Sequence, residues 1–445
     1  MKYYCIKTYG CQMNIHESEK LAGMLESLEY SSTDNENIAD IIVFNTCCIR
    51  DGAEQKILAH IGSLKKLKKQ KPDLIIAICG CMAQMENRPE IIKKKFPFVN
   101  IIFGTHNINE FKNYLLEFKS KKKYICEIWD SPKAINEHVD TFRTSGNNAW
   151  INISYGCNNF CTYCIVPYVR GRERSRSFND IIDECKEAIA QGYKYITLLG
   201  QNVNSYGNDI DDKDVTFANL LQNIAHLDGD FRLKFMTSHP KDLSDDVIQV
   251  IANEPKIVKM IHLPVQSGSN RILKLMNRSY TREHYLGLID NIRKNIPNCY
   301  ISTDIIVGFP GETDVDYQDT YDLVNQVRYD GVFAFMYSKR EGTVASKMDN
   351  HIEIIVKRER VNKLLNLSKQ ITRQKNKESI GQIVNVLVNN YDNEKQEYIA
   401  TTDSGKTIII KGLKDNIELN KFYSVKIDNF IQNKLYGNII EGSVL

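Results

Sequence analysis

Ser154-Tyr155-Gly156-Cys157-Asn158-Asn159-Phe160-Cys161-Thr162-Tyr163-Cys164-Ile165-Val166-Pro167 places three cysteines in a C-x3-C-x2-C run. Gly and Asn relax the dihedrals of so short a loop, and its thiolates converge on one small object. Structural zinc wants four ligands, and no fourth Cys or His lies nearby. A bacterial ferredoxin loop runs C-x2-C-x2-C-x3-C, and neither that spacing nor its fourth thiolate is present. Three thiolates on a cube of four irons leave one iron open. Such a cluster is suited to binding a substrate rather than only passing electrons. The plainer alternative is three buried structural cysteines.

The loop resembles the cluster loop of radical S-adenosylmethionine enzymes, whose open iron chelates the amino and carboxylate groups of that cofactor. The longer string from Gly156 to Arg176 includes Arg170-Gly171-Arg172-Glu173-Arg174-Ser175-Arg176. It resembles one branch of that class, the methylthiotransferases. The resemblance implies catalytic Cys157, Cys161 and Cys164 on a [4Fe-4S] cluster.

At 445 residues the chain is expected to hold two or three domains, each with its own core. Hydrophobic content of 42% and charged content of 25% are ordinary for a globular protein. A formal net charge of +3 makes no global electrostatic case for nucleic acid, so any such case rests on local patches. Twelve cysteines, without a signal peptide or a long apolar run, point to a reducing cytoplasm and no membrane partner. There, clustered cysteines read as metal ligands before disulfides.

Residues 1–120 read as an α/β domain with a parallel sheet. Apolar runs at Tyr3–Tyr9, Ile41–Asn45, Leu74–Cys79 and Ile101–Phe103 are the expected strands. Asn14 and Glu17 have the spacing of a capping box, and Leu21, Met24, Leu25 and Leu28 give the following helix one buried face. Ligands collect beyond the carboxyl ends of such strands, and Cys11, Cys47 and Cys81 fall there. Singly each is a small buried hydrophobe; three in register make a second metal site. By resemblance they hold the auxiliary [4Fe-4S] cluster. Cys48 and Cys79 are expected to pack behind that site, and Cys5, Cys126, Cys185 and Cys299 to be structural. The run Lys65, Lys66, Lys68, Lys69 and Lys71 reads as a solvated helix face, with tRNA phosphate contact as the alternative.

Residues 121–148 read as a linker. Residues 149–377 read as repeated strand-helix units, with strands at Trp150–Ser154, Tyr195–Leu199, Phe231–Phe235, Lys259–Leu263, Tyr300–Ile305 and Gly331–Phe335. Six units make an open (βα)6 partial barrel with its active residues at the carboxyl strand ends. Gln201, Ser238, Gln266 and Asp304 stand there as candidate contacts to the methionine end or ribose of S-adenosylmethionine. Residues 378–445 carry five short β runs and read as a small barrel of the OB-like kind. By resemblance this is a TRAM domain, an RNA-binding module. Its seven Lys against eight Asp and Glu make it slightly acidic. Phosphate contacts are therefore expected from Arg170–Arg176 and from the Lys357–Lys377 helix instead.

The resemblance implies methylthiolation of carbon 2 of isopentenyl-adenosine in the tRNA anticodon loop, by a monomer served by an electron donor such as a flavodoxin or ferredoxin. Tyr9-Gly10-Cys11-Gln12-Met13-Asn14 and Asn45-Thr46-Cys47-Cys48-Ile49-Arg50 resemble that branch. Its rivals are methylthiolation of threonylcarbamoyl-adenosine or of a ribosomal-protein aspartate. Outside the enzymes, the rival is a redox-sensing iron-sulfur protein bound to RNA.

Overall fold

The computed structural model describes residues 1–48, 51–131, 141–143, 146–411, 417–432 and 434–444. The amino-terminal elements are β1 (Lys2–Thr8), α1 (Gln12–Glu26), β2 (Tyr30–Ser32), β3 (Ile41–Thr46), α2 (Asp51–Gln70), β4 (Ile75–Gly80), α3 (Arg88–Lys95), β5 (Ile101–Phe103), α4 (Phe111–Lys121) and β6 (Ile125–Glu127). Their strands form one sheet in the order β2-β1-β3-β4-β5-β6, with all pairs parallel. Every residue of β3 and β4 is buried because both faces are covered. One core packs Leu21, Leu25 and Phe111; the other packs Ile57, Ile61 and Ile92. The sheet thus runs past residue 120, since β6 lies inside the expected linker. Residues 132–140 and 144–145 of that segment lie outside the described residues.

The expected capping box does not form. Cys11 is the N-cap of α1, and Asn14 donates from Nδ2 to the Tyr9 and Thr46 carbonyls at 2.8 and 3.0 Å. Nor is α1 buried on one face alone. Asn14, His16, Glu17, Glu19 and Lys20 are buried too, and the helix packs against the next domain as well as its own sheet.

That domain contains β7 (Asn148–Asn152), β8 (Ser154–Tyr155), α5 (Val166–Arg170), β9 (Arg174–Ser175), α6 (Phe178–Ala190), β10 (Tyr195–Leu199), α7 (Phe217–Ala225), β11 (Arg232–Phe235), α8 (Asp245–Asn253), β12 (Met260–His262), α9 (Asn270–Leu275), α10 (Arg282–Asn295), β13 (Tyr300–Val307), α11 (Asp314–Val327), β14 (Gly331–Met336) and α12 (Ile354–Glu378). Side-chain oxygens of Ser177, Thr216, Ser244, Ser269, Thr281 and Thr313 cap α6 to α11 in turn. Six parallel strands follow the expected order, as two three-stranded sheets, β7-β10-β11 and β12-β13-β14. A parallel bridge between Leu233 and Ile257 joins them into one open arc.

The carboxyl-terminal strands β15 (Ile383–Asp392), β16 (Glu397–Thr402), β17 (Thr407–Lys411), β18 (Phe422–Ile431) and β19 (Lys434–Val444) close a barrel in the order β15-β16-β17-β19-β18. It docks at the amino ends of the arc's strands. Leu387 and Phe422 pack on Tyr195 and Val258, and the Arg232 guanidinium lies 4.2 Å over the Phe422 ring. The small barrel therefore sits at the end of the arc opposite the cysteine loop.

Candidate active site

The cysteine loop is tied at its base by the antiparallel pair β8-β9, through Ser154–Ser175 and Tyr155–Arg174. Gly156 turns the chain there with φ +75, and a Cβ would collide with the Arg172 carbonyl. Further along, Thr162 N donates to Met276 O at 3.1 Å, and Ala345 N donates to Thr162 O at 2.8 Å. Three residues around this rim hold left-handed backbones that are costly for their types: Phe160 at φ +47, Thr237 at +71 and Gln266 at +70.

Within the loop, Asn159 Nδ2 lies 3.5 Å from Cys157 Sγ, and Arg278 Nη1 lies 3.5 Å from Cys161 Sγ. Arg278 is 7% exposed and also binds Pro264 O and Tyr280 Oη. Among the described residues it has no carboxylate partner, so its charge is left for the thiol side. Burial raises the Cys157 pKa and, reinforced by Cys161, pushes Cys164 up to about 12. As free groups these two are protonated thiols at neutral pH; metal coordination is what would deprotonate them.

The second triad lies beyond the carboxyl ends of the neighbouring strands β1, β3 and β4. Gly10, at φ +128, lets the first loop approach, since a Cβ there would meet Cys47 Cβ at 2.7 Å. Cys48 and Cys81 pack in one cluster, and the Cys81 thiol is drawn down by a hydrogen bond with the Cys48 thiol, aided by the Arg170 charge against the cost of burial. Cys48 therefore belongs beside these thiols and not behind them. Cys79 is fully buried in the core, as expected. Cys5, Cys185 and Cys299 are buried, whereas Cys126 is exposed.

Arg170 links the two sites. It is 4% exposed, donates to Glu17 at 2.6 and 3.2 Å and to Asn14 Oδ1 at 2.8 Å, and its charge acts on Cys81 and Cys11. Ile165 and Val169, just past the cysteine loop, pack on Cys48 and Cys81 with Met85. A cavity of about 570 Å³ opens here, lined by Tyr163, Cys164, Ile165, Val166, Gln266, Asp304, Ile306, Phe335, Met336, Tyr337, Ser338 and Arg340. Ile165 lines this cavity and also packs on Cys81 of the second triad. Both triads thus adjoin one chamber. A slightly larger groove of about 640 Å³, around Asn208 and Asp212, contains no cysteine.

The four expected cofactor contacts divide into two pairs. Gln266 and Asp304 line the chamber, with His262 Nε2 3.6 Å from Asp304 Oδ1. Gln201 points Nε2 at Met13 Sδ, while its buried Oε1 and the Ser238 Oγ have no partner among the described residues. Asn204 Nδ2 and His239 Nε2 are likewise orphaned. Buried polar atoms left unpaired cost about 1–3 kcal/mol each, so this rim fits a polar ligand. Among the described residues no three His, Cys, Asp or Glu gather tightly enough for one metal ion. A cube of four irons instead takes each thiolate at a different corner.

Of the four arginines in the expected phosphate-binding string, Arg170 and Arg176 are engaged internally and Arg174 is half-buried. Arg176 is 2% exposed and binds Glu184 and the Asn152 carbonyl, both at 2.7 Å, while Arg172 is exposed. In α12, Lys357 and Arg360 are buried, the former on Tyr337 O and the latter on Glu312 and Asp314, whereas Arg358, Lys363, Lys369, Arg373 and Lys377 are exposed. Lys68 and Lys71 bind backbone carbonyls, and Lys65, Lys66 and Lys69 are exposed. Lys234 lies by Tyr195 and Asp403 of the small barrel, not at the cysteine rim, and burial lowers it to about 8.

Residues 151–324 match the family model described as Radical SAM superfamily, and residues 3–104 match one described as Uncharacterized protein family UPF0004. A Clostridium tetani protein named tRNA-2-methylthio-N(6)-dimethylallyladenosine synthase is 51% identical over 435 residues, covering 98% of this chain and 95% of that one. A Thermoanaerobacter pseudethanolicus protein of the same name is 48% identical over 440 residues, covering 99% and 93%. Among solved structures, the radical S-adenosylmethionine methyltransferase TsrM from Kitasatospora setae, with cobalamin and a [4Fe-4S] cluster bound, aligns with a TM-score of 0.56. It is 14% identical, with 78% of this chain and 74% of that one covered, and it shares the fold alone. The chain belongs to the family of tRNA-2-methylthio-N(6)-dimethylallyladenosine synthases.

Proposed function

We propose that this radical S-adenosylmethionine methylthiotransferase modifies carbon 2 of isopentenyl-adenosine beside the tRNA anticodon. Cys157, Cys161 and Cys164 hold one [4Fe-4S] cluster, and Cys11, Cys47 and Cys81 hold the other. The observation that supports this reading is the shared chamber, which Cys164 lines directly and whose wall residue Ile165 packs on Cys81. When bound, the two clusters and S-adenosylmethionine supply the reductive cleavage and the sulfur.

The chain's own groups prepare the site. Cys157, Cys161 and Cys164 would hold their cluster through three irons and leave a fourth for the cofactor. Ser238 and Gln201 offer buried polar atoms to that cofactor, and Gln266 and Asp304 offer two more from the chamber wall. Arg278 sets a buried cation against Cys161. Ile165, Val166 and Ile306 keep the chamber wall apolar and restrict water. The target base must leave its stack to enter, which an anticodon-loop purine does at small cost.

Among the described residues no helix is long and apolar enough to cross a membrane. The reading places the enzyme in the cytoplasm as a monomer, reduced by a small flavodoxin or ferredoxin. Mass spectrometry of tRNA nucleosides from a strain lacking the protein tests the substrate. Methylthio-isopentenyl-adenosine should vanish and isopentenyl-adenosine accumulate. Loss of the threonylcarbamoyl derivative instead would overturn the assignment.

A further inference from the structure

The loop segment Asn159–Thr162 is gripped by surface residues that the chemistry above does not use. Lys241, its side chain 43% exposed, donates to Asn159 Oδ1 at 3.0 Å, and Asn159 Nδ2 reaches Cys157 Sγ at 3.5 Å. A surface cation therefore stands two side-chain contacts from a cluster thiol. The Lys241 ammonium is 3.6 Å from Asp242, which also accepts from Asn202. Exposed Arg172 lies 4.4 Å over the Phe160 ring, and half-exposed Tyr168 meets that ring edge-on. Asn277 holds the Asn159 and Phe160 carbonyls, and Thr162 Oγ1 donates to Leu275 O at 2.9 Å. These contacts bring exposed Lys274 and Leu275 to the same face. Arg172 and Lys241 thus contact this one segment and Lys274 adjoins its Leu275 contact, beside the Phe160 and Tyr168 rings. None of these residues lines the chamber that Cys164 faces.

We propose that this surface docks a small acidic one-electron carrier protein, which reduces the cluster held by Cys157, Cys161 and Cys164. The proposal rests on the cluster assignment made above. One electron leaves the carrier and enters the cluster, and no bond or proton changes place. Cations beside a few apolar groups suit a brief, steered encounter rather than a permanent complex. RNA can use cations and rings too, but the Lys241–Asn159–Cys157 contacts lead to the thiol, not to the chamber where a base would react.

The test compares wild type with a Lys241→Glu, Lys274→Glu double variant, both loaded with clusters and matched for iron. Reduction is followed by loss of visible absorbance, driven either by reduced flavodoxin or by dithionite. The flavodoxin-driven rate at low salt should fall about tenfold or more and lose its salt dependence. The dithionite-driven rate should stay within about twofold, and tRNA affinity should not change. An unchanged flavodoxin rate would overturn the proposal. A fall in tRNA affinity alone would also overturn it, giving the surface to RNA. If dithionite failed to reduce the wild-type loop cluster, the cluster assignment itself would fall.

Discussion

Replacing Arg170 by Met tests how the two cysteine domains are held together. The guanidinium makes three charge-assisted hydrogen bonds to Glu17 and Asn14, and both ionic side chains are about 5% exposed or less. Removing one partner of such a pair strands the other charge in the interior, at a cost of about 3–5 kcal/mol. Removing both charges, in Arg170→Met with Glu17→Gln, avoids that stranded carboxylate and should recover about 2 kcal/mol or more. The loss falls on contacts between α1 and α5, which belong to different domains. It should appear as local opening, with amides of α1 exchanging roughly 100-fold faster or more, at about 1.4 kcal/mol per decade. Hydrogen exchange read by mass spectrometry measures this segment directly. Exchange within about threefold of wild type in the single variant, or no recovery in the double variant, would refute the argument.

Other consequences follow from the same contacts. Burial opposes ionisation of Glu184, yet His16, Arg176, Lys20 and Arg143 hold its carboxyl down to about 2. Its depressed pKa means the stabilisation, on the order of 3 kcal/mol, is present above about pH 4.5 and fades as the pH falls toward 2. Urea unfolding between pH 5 and 3 should therefore weaken more steeply for wild type than for Glu184→Gln; parallel slopes would count against this role for Glu184. Arg278→Met should lower the reduction potential of the loop cluster in a redox titration followed by electron paramagnetic resonance, and Arg278→Lys should lower it less. Equal potentials would show that the buried cation has no such effect. Phe422→Ala should cost about 3–5 kcal/mol of barrel docking, and deletion after Ile380 should lower thermal stability by uncovering Tyr195 and Val258. An unchanged melting profile for the deletion would show that the barrel is held only loosely.

The strands that carry the site were legible because a buried parallel sheet writes continuous apolar runs, as at Ile41–Phe44 and Ile75–Ile78. The cysteines were legible because their spacing and their strand-end positions coincide. Partnerships across the chain were not. Arg170 and Arg176 looked like phosphate ligands because a local string displays charge but not the carboxylate that neutralises it. Glu17 lies 153 residues from Arg170. The second face of α1 was hidden for the same reason: His16, Glu17 and Lys20 read as solvated until another domain covers them. Cys48 stands next to Cys47 in the sequence, and only the fold shows it packed with Cys81. Arg278 carried no spacing signal, since it reaches Cys161 through the tertiary fold alone.

The account's central claim is that two cysteine triads on two domains perform separable steps at one chamber. The most direct measurement quantifies deoxyadenosine and methylthio-nucleoside from reconstituted Cys47→Ala and Cys161→Ala variants given reductant, S-adenosylmethionine and isopentenylated tRNA. The account predicts deoxyadenosine without methylthio product for Cys47→Ala, and neither for Cys161→Ala. Methylthio product from Cys47→Ala, or deoxyadenosine from Cys161→Ala, would contradict it.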